Sequence, residues 1–131
     1  MKLKRIVIQK YKNLEDFKYI GDLKLPSEVS GVMIECPNLI SLDKDNDLLI
    51  ICPQRVKNQE DLGYQNSHLA LYGIGKFDVA NLKFQCVDYR EIDCGFDFYA
   101  PQVFKDEMGR MILLGWLGNS TGYPGYRGDP S

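Results

Sequence analysis

One histidine, one tryptophan and no Cys-x-x-Cys pair are found in the 131 residues of this chain. That scarcity argues against metal chemistry, because a zinc site draws on several His and Cys ligands at short spacings and His68 is the only imidazole. An excess of one charge is also missing. The 16 Lys+Arg face 18 Asp+Glu, a formal net of -2, whereas a general nucleic-acid binder carries a basic excess or stripe. The longest apolar runs, such as Met111 to Leu117, fall far short of the ~20 residues that cross a bilayer. After the basic opening Met1-Lys2-Leu3-Lys4-Arg5, the apolar stretch stops at Gln9-Lys10-Tyr11-Lys12, so no secretory leader is expected. Without a secretory route, the cysteines Cys36, Cys52, Cys86 and Cys94 are expected as free thiols. These absences predict a cytoplasmic protein with no metal, no cofactor, no nucleic-acid partner and no membrane contact.

What is present is the material of one ordinary domain. Hydrophobic residues make up 44% and charged residues 26%, a globular balance, and a domain this size buries roughly two-thirds of its unfolded surface. The apolar pattern reads as short strands. Runs fall at 3–8, 17–20, 32–34 continued by 39–42, 48–52, 68–73, 82–87, 98–100 and 111–117, separated by turn clusters. Asp43-Lys44-Asp45-Asn46-Asp47 has the look of a calcium loop. It lacks the glycine and the glutamate that such a loop needs at its sixth and twelfth positions, so it reads as the turn of a hairpin over 38–52. No window of helical periodicity appears, and no clean internal repeat. The class is all-β, with sandwich, barrel and propeller open on the pattern alone. Eight strands suit two four-stranded blades. Residues 118–131, rich in Gly and Pro, read as a loop or disordered tail after a domain over 1–117.

Two segments carry candidate chemistry. In Gly31-Val32-Met33-Ile34-Glu35-Cys36-Pro37-Asn38, a carboxylate interrupts an apolar strand just before a proline expected to end its regular pairing. Desolvating Glu35 there favours the protonated form that a general acid near neutral pH requires; on a solvent face it would have no such role. The stretch from Glu91 to Gln102 gathers carboxylates, aromatics and a glycine, the surfaces with which proteins hold sugars or, equally, an ordinary aromatic strand. Trp116, at the end of the last strand, is either a core anchor or a sugar platform.

At these segments the chain resembles glycoside hydrolase family 32, the invertase, levanase and sucrose-6-phosphate hydrolase family. Glu35-Cys36-Pro37 matches that family's Glu-Cys-Pro motif. Asp93-Cys94-Gly95-Phe96-Asp97-Phe98-Tyr99-Ala100-Pro101-Gln102 matches its Asp-x-Gly-x-Asp-Phe-Tyr-Ala-Pro-Gln stretch, and Gly109 to Trp116 resembles the strand that follows. The segment from Asn13 to Gly21 is similar to the one that usually precedes the Glu-Cys motif. The resemblance implies a partial five-bladed β-propeller of about two four-stranded antiparallel blades. It implies retaining hydrolysis of β-fructofuranosides, sucrose or sucrose 6-phosphate, with Glu35 as the general acid/base. Cys36, Asp97, Tyr99 and Trp116 would then line the sugar site, with Cys36 tuning or orienting Glu35.

The departures are equally specific. The family's nucleophilic aspartate lies in an Asn-Asp-Pro-Asn-Gly motif that this chain does not contain, and nothing upstream of Glu35 matches its Arg-Asp-Pro motif. Arg127-Gly128-Asp129-Pro130 is similar in spelling only. Asn38 stands where an aspartate is common after Glu-Cys-Pro. The chain therefore reads as an interior piece with the proton donor and without the nucleophile, expected to be inactive alone and to self-associate through open sheet edges. The alternative is a non-catalytic carbohydrate- or protein-binding β-module derived from such an enzyme.

Overall fold

The acidic turn closes the central hairpin. In the computed structural model, which describes residues 5–13, 15–25, 29, 32–54, 66, 68–95 and 97–118, Asp43 Oδ1 accepts hydrogen bonds from the backbone N–H groups of Asp45 and Asn46, both at 2.8 Å. This side-chain mimicry of a backbone turn is what aspartate offers at such a position. On either side of the turn run β3 (Met33–Ser41) and β4 (Asp47–Gln54). Before them lie β1 (Ile6–Tyr11) and β2 (Phe17–Leu23). After them come β5 (Leu71–Asp78), β6 (Lys83–Cys86), the two-residue β7 (Arg90–Glu91), β8 (Phe98–Lys105) and β9 (Met111–Leu117). All these strand pairs are antiparallel, and among the described residues there is no helix.

The strands form one complete blade with a half-blade on either side. The sheet β3-β4-β5-β6 is an up-and-down meander, with β7 pairing β5, and the hairpins β1-β2 and β8-β9 each stand as a two-stranded sheet. Two blades' worth of strands are present, divided as a half, a whole and a half. Strand β4 explains the stacking. Leu48-Leu49-Ile50-Ile51-Cys52 is apolar at every position and almost wholly buried, so it feeds both faces of its sheet. Leu49 and Ile51 join Ile6 and Leu23 of the first half-blade, together with Leu69, Leu71 and the fully buried Phe84. Cys52, on the other face, joins Ala70 and Tyr99 of the second half-blade. Burying a side chain the size of Phe84 or Leu49 contributes roughly 1.5–3 kcal/mol.

Regular pairing lapses at Pro37 as expected, with the ladder broken between Glu35 and Asn38 while β3 runs on to Ser41. Two strand expectations change. The strand expected over 68–73 starts at Leu71, and His68 makes a single bridge to Gln54 instead. The strand at 98–100 extends through Pro101 to Lys105. Of the expected tail, Gly118 is described and donates its N–H to the Asp97 carbonyl at 2.5 Å; residues 119–131 lie outside the described residues.

A repeat that the letters conceal appears in the register. Glu35 pairs Cys52 and Asn38 pairs Ile50; Tyr99 pairs Trp116 and Gln102 pairs Leu114. Each second pair stands 64 residues beyond the first, the separation of Glu35 and Tyr99 themselves. Both inner strands break at the same place, and in both the residue before the proline has positive φ, 46° at Cys36 and 49° at Ala100. Few residues other than glycine adopt that conformation. The break is thus a constructed feature of both half-hairpins rather than an accident of one.

Candidate functional site

Glu35 occupies the first of the two bulges, on the innermost strand of the complete blade. Its residue is half-buried, and Oε2 accepts two hydrogen bonds. One comes from Gln54 Nε2 at 2.5 Å, the other from the Tyr99 hydroxyl at 3.2 Å. Gln54 ends β4, two residues beyond Cys52, which faces Glu35 across the hairpin. Tyr99 reaches over from β8. The carboxylate is therefore addressed from its own blade and from the next one.

Tyr99 is the fixed point of the site. It is 3% exposed, with the His68 ring edge-on at 6.2 Å and 71° and with Cys52 and Ala70 packed around it. Burial pushes its phenol well above the usual tyrosine range, so the hydroxyl stays protonated and acts as a donor at neutral pH. Burial also pushes the Cys52 thiol up to about 12, and raises Cys36, whose thiol additionally faces the Glu35 charge. Both sulfurs are neutral packing groups rather than nucleophiles. All four cysteines carry free thiols.

A side-chain amide holds the two inner strands together. Asn38 Nδ2 donates to the carbonyls of Cys36 and Pro101, each at 2.9 Å, while its Oδ1 accepts from the Val103 N–H at 3.0 Å. An aspartate makes only the last of these contacts, because an ionised carboxylate has no donor. The amide closes over the positive-φ Cys36 and ties β3 to β8, which sets the distance between Glu35 and Tyr99.

Of the residues singled out by sequence, Glu35, Cys36 and Tyr99 are brought together. Trp116 is half-exposed and directly opposite Tyr99 in the β8-β9 ladder, so its ring lies on the same face of that hairpin. Asp97 is exposed just ahead of β8, its carbonyl bonded to Gly118. Gln54 and the bridging role of Asn38 went unread. The hairpin register carried the signal for Gln54, since a strand extended two residues past Cys52 puts it diagonal to Glu35. No comparable signal existed for Asn38, because its partners lie 63 and 65 residues away.

Comparison with known proteins gives consistent matches. The family model described as "Glycosyl hydrolases family 32 N-terminal domain" matches residues 2–127. The sucrose-6-phosphate hydrolase of Staphylococcus xylosus is 35% identical over 114 residues, covering 87% of this chain and 23% of that protein. That of Salmonella typhimurium is 41% identical over 92 residues, 70% of this chain and 19% of the relative. Among solved structures, the Bombyx mori GH32 beta-fructofuranosidase superimposes with a TM-score of 0.76 at 27% identity, over 92% of this chain and 25% of that one. A variant of the same enzyme in complex with sucrose matches equally. The sucrose-6-phosphate hydrolase of Lactobacillus gasseri gives 0.75 at 31% identity, over 94% and 26%. The chain thus spans about a quarter or less of the length of the relatives it matches.

Proposed function

Because the chain belongs to glycosyl hydrolase family 32, we propose that it carries the proton-transfer half of a site for retaining hydrolysis of β-fructofuranosides, sucrose or sucrose 6-phosphate. The observation that carries this reading is the Glu35 carboxylate, held in the bulge by Gln54 and Tyr99. In the proposed roles, Glu35 gives its proton to the glycosidic oxygen as the bond to fructose breaks. It then takes a proton from the water that releases the fructosyl group. Tyr99 and Gln54 aim the carboxyl. Trp116 offers its exposed ring to a sugar face, Asp97 accepts from sugar hydroxyls, and Cys36 lines the wall beside Glu35.

A retaining mechanism needs a second carboxylate ~5–5.5 Å from the first to form the covalent intermediate. No Asn-Asp-Pro-Asn-Gly motif is present to supply it, so the 131-residue polypeptide is proposed to bind the fructoside without turning it over. The second reading, a non-catalytic carbohydrate- or protein-binding module, shares that behaviour and differs only when a nucleophile is supplied. Free thiols at all four cysteines suit a reducing compartment and support the cytoplasmic placement. Among the described residues no helix is long and apolar enough to cross a membrane. Residues 1–117 as a domain with a separate tail, and self-pairing through open sheet edges, belong to the same reading.

The test is hydrolysis of sucrose and of sucrose 6-phosphate by the purified chain, alone and mixed with a separately produced family 32 segment bearing the Asn-Asp-Pro-Asn-Gly motif. Turnover that appears on mixing and disappears in Glu35→Gln supports the acid/base role. Absence of turnover in the mixture, with sugar still bound, favours the module. Turnover by Glu35→Gln in the mixture overturns the role of Glu35.

A further inference from the structure

Two donors meet on one oxygen of Glu35, and both are held from behind. Gln54 Nε2 stands 2.5 Å and the Tyr99 hydroxyl 3.2 Å from Oε2. Gln54 is gripped by its backbone. Its carbonyl accepts the Val32 N–H at 2.8 Å, it faces Met33 across the β3-β4 ladder, and it makes the single bridge to His68. The Pro53 carbonyl beside it accepts the Leu69 N–H at 3.1 Å, so the end of β4 is paired on both edges. Tyr99 is gripped by packing, buried against Cys52, Ala70 and the edge-on ring of His68.

The third side of this triangle is closed as well. The Gln54 amide also hydrogen-bonds the Tyr99 hydroxyl, an interaction that favours the phenolate and therefore has the amide donating. An amide nitrogen has two hydrogens. One points at Glu35 and the other at the Tyr99 oxygen, which turns the single hydrogen of the phenol toward Oε2. A carboxylate oxygen offers two lone-pair sites, and these donors take both on Oε2. A proton placed on Oε2 would displace one of them and strand a donor inside the protein, which costs more than a hydrogen bond contributes. The same proton on Oε1 leaves both bonds in place, with Oε2 as the carbonyl oxygen that accepts them.

We infer that Gln54 is a positioning residue which, with Tyr99, reserves Oε2 as a permanent acceptor and keeps the proton of Glu35 on Oε1. The use of this arrangement in catalysis rests on the acid/base reading of Glu35; within it, Oε1 is the oxygen that works in both directions. The Oε1–H bond breaks as the glycosidic oxygen takes the proton and keeps the electron pair of its bond to fructose. The water that releases the fructosyl group then returns a proton to the same Oε1. The carboxyl serves both steps without turning, since half a turn would carry the proton onto the two donors.

The experiment is infrared difference spectroscopy on the purified chain in acid, wild type minus Glu35→Gln, which isolates the carbonyl stretch of the protonated Glu35 carboxyl. The same subtraction is made in a Tyr99→Phe and in a Gln54→Met background. A carbonyl stretch drops in wavenumber with each hydrogen bond its oxygen accepts. The band is therefore expected low in the wild type and shifted upward in each background, because each substitution removes one bond from Oε2. A band that stays in place in a folded background overturns the inference, since the proton then sits on Oε2 and Oε1 is the carbonyl oxygen. Spectra are taken at the lowest pH at which circular dichroism shows each chain folded, and either background alone decides if the other does not fold. The outcome is separate from turnover. Failure of Glu35 in the mixed-segment assay leaves the assignment of the oxygens standing, and an unmoved band overturns that assignment with the acid/base role intact.

Discussion

Replacing Asn38 with alanine tests whether a single side chain holds the two inner strands together. The substitution removes three hydrogen bonds at 2.9, 2.9 and 3.0 Å and leaves the carbonyls of Cys36 and Pro101 and the Val103 N–H without that partner. At a net ~1 kcal/mol for each half-buried bond, the cost is ~2–3 kcal/mol. The loss is local, because two of the three bonds cross from β3 to β8. Trp116, the only tryptophan, stands on β9 opposite Tyr99 and reports that hairpin by itself. In urea, the fluorescence transition of Asn38→Ala is expected to precede the far-ultraviolet circular dichroism transition, while the two coincide in the wild type. Asn38→Asp separates the donors from the acceptor. It keeps the Val103 contact but turns a carboxylate toward two carbonyl oxygens, which holds that carboxyl above its usual range in the folded state. A group raised on folding costs stability as pH climbs through that range and costs none below its unfolded value, so the aspartate variant recovers in acid and the alanine variant does not. Coincident transitions in Asn38→Ala at the wild-type midpoint would refute the reasoning.

Three other perturbations follow from single contacts. Asp47, buried at the head of β4, accepts the Phe77 N–H at 2.9 Å and lies 3.5 Å from Lys76 Nζ; the Phe77 bond, foremost, holds its carboxyl below the ordinary 3.8. Its contribution is therefore complete above that value and lost as pH falls through the depressed folded one. Asp47→Asn is expected to cost ~1–2 kcal/mol at neutral pH, with melting curves converging on wild type in acid; a pH-independent gap would count against the account. Glu91 has the opposite sign. Burial, then the Asp93 charge, raise its carboxyl, and Oε1 is buried without a hydrogen bond. Glu91→Gln should stabilise the fold at neutral pH, by ~1 kcal/mol at most, seen as a higher melting temperature, and have no effect once the pH is below the ordinary 4.5. At Gly75, an added Cβ would overlap the Gln85 carbonyl of the paired strand, and backbone cannot yield as a side-chain tip does. Gly75→Ala is expected to cost ~3 kcal/mol, seen as lost amide-exchange protection along β6.

Much of this architecture was legible in the residues. Runs such as Leu48 to Cys52 announce strands because a pleated chain buries alternate residues on alternate faces, and a run apolar at every position has both faces to bury. The turn at Asp43–Asp47 was readable because aspartate and asparagine bond their own backbone. Glu35 was readable as an anomaly, a carboxylate in an apolar strand. The lapse of regular pairing at Pro37 was readable as well, and it has a physical reason. A bulge leaves the residues between Glu35 and Asn38 out of the ladder, so proline there costs no hydrogen bond. Tyr99 was named for the sugar site through the family resemblance alone; that its hydroxyl reaches Glu35 depends on a contact 64 residues long, which no local pattern encodes.

The repeat accounts for why the site stands where it does. Glu35 and Tyr99 are equivalent positions in successive blades, each leading into a bulge with a positive-φ residue followed by proline. Repetition of that bulge presents the same position from each inner strand toward its neighbour, and the two side chains meet at 3.2 Å. The backbone device is shared while the chemistry is not: a carboxylate occupies one copy and a buried phenol the other, so one accepts where the other donates. The two inner-strand motifs, Glu-Cys-Pro-Asn and Tyr-Ala-Pro-Gln, have only the proline in common by letter. They nevertheless agree in register, in φ and in carrying a side-chain amide after the proline. At Asn38 that amide is the bond between the blades. Symmetry of backbone thus supplies the convergence, and divergence of side chains turns the convergence into a donor–acceptor pair.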